Sequence, residues 1–66
     1  VSPEGLDPLD LEILGLVADG HTTDVVGRRL GLSERTVRRR LRAVADELEV
    51  GSTIEAVVRA VRAGLI

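Results

Sequence analysis

Apolar residues recur three and four positions apart along most of this chain, the spacing that gathers them on one face of a helix. Ile13, Leu14, Val17 and Ala18 form the first stripe, between Asp7 as N-cap with Pro8 at the first helical position and Gly20 as the stop. Proline costs nothing there because its missing amide would have no intrahelical partner. Asp10 puts a negative charge in the first turn, where the helix dipole favours it. Leu9, Leu11 and Leu16 fall outside the stripe. This helix is therefore apolar over a wide arc, and the extra leucines are expected to pack inside the protein or at an interface. A second, short helix is expected from Thr22 through Val25, Val26 and Leu30, with Gly31 as its left-handed terminator. Gly27 within it is expected to cost about 1 kcal/mol relative to Ala.

The pattern continues with Leu32 plugging a turn and Ser33 capping a third helix over about 34–48. On a wheel of roughly 100° per residue, Leu41, Val44 and Leu48 lie within about 40° of Val37. Arg35, Arg38, Arg39 and Arg42 fall on the opposite side with Asp46, and Thr36 and Arg40 on the flanks. Ser52-Thr53-Ile54-Glu55 reads as a capping box that opens a fourth helix over about 53–63. Ile54, Val57, Val58 and Val61 are expected on the core. Ala56, Ala60 and Ala63 are expected outward beside Arg59 and Arg62, as a close-packing surface for a partner helix. The expected fold is all-α: a four-helix domain over residues 6–66 behind a flexible lead-in at residues 1–5.

Composition narrows the function. Sixty-six residues, 7.1 kDa, make one small domain. A chain of this size buries about 60% of its unfolded surface, and its core leaves roughly 3–5 kcal/mol of net stability. Without Cys there is no disulfide or thiolate metal site, and a single histidine, His21, cannot build a zinc site alone. Phe, Tyr and Trp are absent, which excludes stacking of bases on an aromatic platform. No apolar run is long enough to span a membrane, and no charged-then-apolar stretch of the secretory type occurs, so no leader is expected. So few nucleophiles in so small a chain argue for a binding module over an enzyme, with no cofactor. His21, beside Asp19 and Asp24, reads as a loop residue. A start at Val1 with no Met anywhere points to a fragment, a processed form or the tail of something longer.

Net charge is −2, yet its distribution points toward nucleic acid. Residues 1–27 carry net −6, residues 28–42 net +6 and residues 43–66 net −2. Phosphate binding follows local positive potential, so a basic segment can dock DNA inside an acidic domain. The arginines lie on the outer side of a helix whose inner side is apolar, and a short helix and a Gly-containing turn precede it. That is a helix-turn-helix, whose second helix is gripped by the core and offered to the major groove. Ser33 caps that helix and exposes its N-terminus.

Leu6-Asp7-Pro8 with Asp10-Leu11-Glu12-Ile13-Leu14 and Ala18-Asp19-Gly20 resembles the opening of the LuxR-type (NarL/FixJ-type) DNA-binding domain. Leu30-Gly31-Leu32-Ser33-Glu34-Arg35-Thr36-Val37-Arg38 resembles its turn and recognition helix, and Leu48-Glu49-Val50 with Glu55-Ala56-Val57 its junction into the last helix. The likeness covers roughly residues 6–64. It implies the C-terminal effector domain of a cytoplasmic, nucleoid-associated bacterial transcription regulator, behind a receiver or sensory domain. It also implies double-stranded DNA as partner, a homodimer through the fourth helix and possible contact with RNA polymerase. By position, Arg38, Arg39 and Arg42, with Arg35 on the same face, match base- and phosphate-contacting sites. Thr36, Ser33, Thr22 and Thr23 match positions near the DNA backbone. The outward stripe of the fourth helix, Ala56, Arg59, Ala60 and Ala63, is the expected dimer surface. The chain departs from the family pattern at Val25 (usually Glu), Gly27 (usually Ala), Arg40 (often His) and Asp46-Glu47 (often basic). Two other readings fit parts of the chain: region four of a sigma factor, disfavoured by the capped fourth helix, and a dimerisation module that never touches DNA.

Overall fold

A computed structural model describes residues 6–66; the expected lead-in at residues 1–5 lies outside them. The described residues form four helices and no strand: α1 (Pro8–Ala18), α2 (Thr23–Leu30), α3 (Glu34–Glu47) and α4 (Thr53–Arg62). Each starts on a side-chain cap. Asp7, Thr22, Ser33 and Ser52 accept the backbone N–H three residues on, from Asp10, Val25, Thr36 and Glu55. At α1 the box is reciprocal, because the Asp10 carboxylate also accepts the Asp7 N–H. At α4 the Glu55 carboxylate reaches one residue further back, to the Gly51 N–H.

The core is a single cluster. Ile13 and Leu14 of α1, Val26 of α2, Val37, Leu41 and Val44 of α3, and Leu48 just beyond it meet inside the domain. Leu6, immediately before the α1 cap, is 1% exposed and belongs to the same core. Leu9, Leu11, Leu16 and Val17 are half-buried against it, and Ala18 is exposed. The wide apolar arc of α1 has a direct cause, since α1 packs against all three other helices.

Gly31 ends α2 in the left-handed region at φ 72°, and the Leu32 N–H closes the turn on the Gly27 carbonyl at 2.8 Å. That closure presses the turn onto Gly27, where a Cβ would stand 2.6 Å from the Leu32 carbonyl oxygen. The expected propensity cost at Gly27 is therefore not a recoverable loss; the close approach of the turn requires glycine. Gly27→Ala is expected to lower stability by about 1–3 kcal/mol, outweighing a helix-propensity gain of about 1 kcal/mol. A rise in melting temperature by far-UV circular dichroism would contradict this.

The fourth helix is rotated from its expected setting. Ala56 and Ala60 are fully buried, whereas Ile54, Val58 and Val61 are 71%, 45% and 52% exposed. Val57 alone of the expected core set is half-buried against the cluster, and Arg59 and Ala63 are exposed. The apolar arc of α4, from Ala56 round to Val58, covers about 200° of the helix wheel. The domain covers only about half of it, and takes the half with small side chains, which lets α4 sit close against α1 and α3.

Candidate nucleic-acid interface

The third helix is held by Val37, Leu41, Val44 and Ala45 on its inner side, and Arg35, Arg38, Arg39 and Arg42 all stand exposed on the other. Their partners differ. The Arg38 Nη2 donates to Glu34 Oε2 at 2.8 Å, one helical turn back. Among the described residues, Arg35, Arg39 and Arg42 form no ion pair. On α2, Arg28 is paired with Asp24 at 2.8 Å.

Arg40 takes no part in this face. Its Nη1 lies 3.1 Å from carboxylate oxygens of both Asp7 and Asp10, which ties α3 to the first turn of α1. No sequence signal joins residues 33 positions apart; only the packing of α1 across α3 brings them together.

The hydroxyl residues are largely occupied. Ser33 Oγ accepts the Thr36 N–H at 3.1 Å and donates to the Thr36 Oγ1 at 2.9 Å. Thr22 Oγ1 accepts the Val25 N–H at 3.3 Å. Thr23 donates its hydroxyl to Glu34 Oε2 at 2.8 Å, linking α2 to the start of α3. Thr23, Arg38 and Arg42 then line one open groove of 490 Å³ together with Asp46, Ser52 and Thr53 of the α3–α4 junction. In the sequence Ser52 is legible only as a cap. Its place beside the arginines follows from the fold of the 48–52 turn, where Glu49 adopts φ 59° and the Val50 N–H bonds the Ala45 carbonyl at 2.9 Å.

Electrostatics follow these contacts. The Asp10 N–H and the Arg40 guanidinium hold the Asp7 carboxyl below its ordinary value of 3.8. The Thr23 hydroxyl and Arg38 hold Glu34 below 4.5, and the paired aspartates raise Arg40. Folded-state values below the unfolded ones add stability that is present above the unfolded values and lost as pH falls through the folded ones. Melting temperature is expected to hold between about pH 7 and 5 and to fall below about pH 4.5. Arg40→Gln should weaken that acid dependence, and an unchanged acid limb would show that the pair adds nothing.

A family profile described as a homeodomain-like domain matches residues 11–49, which run from the first turn of α1 to just past α3. The chain belongs to the homeodomain-like family. This homeodomain-like domain is also similar to the transcriptional regulatory protein DesR of Bacillus subtilis (strain 168), at 38% identity over 53 residues. That stretch is 80% of this chain and 27% of DesR, so the chain spans about a quarter of the relative it matches. The helix-turn-helix lies wholly inside the family match; α4 lies beyond it.

Proposed function

We propose that this chain binds duplex DNA sequence-specifically as the effector domain of a bacterial transcription regulator of the LuxR type, with α3 in the major groove. The observation that carries the reading is the outer face of α3, where four exposed arginines stand on a helix fixed from beneath by the core. The groove is about 12 Å wide and admits one helix. Arg38, Arg39 and Arg42 face its floor and walls, Arg35 its near edge, and Ser33, Thr36, Thr22 and Thr23 the flanking backbone. The likeness to DesR, a transcriptional regulatory protein, supports a role in transcription regulation; a receiver or sensory domain elsewhere in the full protein and RNA polymerase as a further partner complete the proposal. Fluorescence anisotropy with a mixed-sequence duplex at about 50 and 200 mM salt tests the reading, because each phosphate contact contributes a log–log slope of about −0.9. Affinity is expected to fall steeply between the two; no binding at the lower salt overturns the proposal.

The same regulator is proposed to act as a homodimer on an inverted repeat, through the apolar strip Ile54, Val58 and Val61, with Arg59 and Arg62 lining the same groove as Ile54 and Val58; Ala63 lines a separate groove beside Glu47 and Leu48. Ala56 and Ala60, buried inside the domain, are not part of that surface. Val58→Glu is expected to abolish cooperative binding to paired half-sites while leaving the melting temperature and single half-site affinity unchanged. Retained cooperativity would exclude α4 as the dimer surface.

A further inference from the structure

Glu34 is out of place on a phosphate-binding face. It stands at the first position of α3, at the head of the arginine face, where its charge repels the DNA backbone. Its exposed pairing with Arg38, one turn away on the same helix, adds little to folding, as such surface pairs do. Two helices nevertheless converge on one of its oxygens: Thr23 from α2 and Arg38 from α3 each reach Oε2 at 2.8 Å. The Thr23 bond fixes the carboxylate, and the carboxylate then fixes one of the five N–H donors of the Arg38 guanidinium.

We propose that Glu34 is a positioning residue that presets Arg38 for reading a base edge, and so determines sequence preference rather than overall affinity. The inference rests on the DNA-binding reading above and divides the arginines by role. Bidentate contact with guanine O6 and N7 demands a guanidinium plane in one orientation, whereas a phosphate accepts a cation from many directions. An arginine oriented before docking loses less freedom on binding. Arg38 is so held. Arg39 and Arg42, without an ion pair among the described residues, follow the phosphates.

The test compares the duplex that the chain selects from a randomised pool with a mixed-sequence duplex, at fixed salt. Glu34→Gln removes one negative charge yet keeps an acceptor for Thr23. It is expected to weaken binding to the selected duplex roughly tenfold, the order of one bidentate base contact, while affinity for the mixed duplex holds or rises. In the Arg38→Ala background the same change is expected to cost nothing further on the selected duplex. Thr23→Val gives an independent arm, with a smaller loss of discrimination expected. Equal gains on both duplexes for Glu34→Gln would overturn the inference, because Glu34 would then only repel phosphate. So would salt-sensitive binding by the unmodified chain with no selected sequence, which would leave DNA binding standing without its sequence specificity. No binding of the unmodified chain to any duplex would sink both.

Discussion

Leu14→Ala is expected to leave this chain largely unfolded at room temperature. Leu14 is fully buried on α1, the helix that touches all three others. Truncating a buried leucine to alanine costs about 2–5 kcal/mol, from lost transfer energy and the cavity left behind. A domain of this size holds roughly 3–5 kcal/mol in total. The two figures are comparable, so one core truncation suffices where a larger domain would absorb it. With no Phe, Tyr or Trp there is no aromatic fluorescence to follow, and helical far-UV circular dichroism is the measurement. The expected result is loss of most of the helical signal. Two variants on α4 supply the contrast: Val58→Ala on the exposed strip should change stability by less than about 0.5 kcal/mol. Ala56→Leu, which forces a larger side chain between α4 and its neighbours, should cost about 1–3 kcal/mol. The reverse order would mean that α4 is set the other way round.

Removing Arg39 and Arg42 together is expected to cost about fifty- to a hundredfold in DNA affinity near 0.1 M salt, with no change in melting temperature. Each phosphate contact contributes a log–log salt slope of about −0.9, which is roughly one order of magnitude between 0.1 and 1 M. Two contacts therefore carry nearly two orders, and the slope should flatten by about 1.8. Neither side chain pairs with a carboxylate among the described residues, so their loss removes no ion pair from the fold. Anisotropy across a salt series reads both numbers. A fall in affinity with an unchanged slope would make the two arginines readers of bases. No fall at all would remove α3 from the DNA interface.

The positions of four helices were legible in the chain because their signals are local. Asp7-Pro8, Thr22, Ser33 and Ser52 are caps that act within three residues of themselves, and Gly31 ends α2 through its own backbone freedom. The register of α3 was legible for a related reason. Its two faces differ as sharply as faces can, valine and leucine against arginine, so burial has one solution. The partners of the arginines were not legible. The helix wheel already set Arg40 on the flank, apart from Arg35, Arg38, Arg39 and Arg42, but only the position of α1 makes it a tie to Asp7 and Asp10.

Local patterns along the chain thus set where each helix begins and ends, which side of α3 is buried, and that the positive charge gathers on the other. The rotation of α4, the need for glycine at 27 and the partners of Arg40 and Glu34 were set only when the helices packed. The α4 arc is apolar over more surface than the domain can cover, so hydrophobicity permits either setting. Steric fit chose between them: the small Ala56 and Ala60 admit close packing, and the larger Ile54, Val58 and Val61 remain outside. Gly27 likewise depends on a carbonyl five residues along the chain, and Arg40 on carboxylates about thirty away. A local pattern carries no record of distances set only when the helices meet.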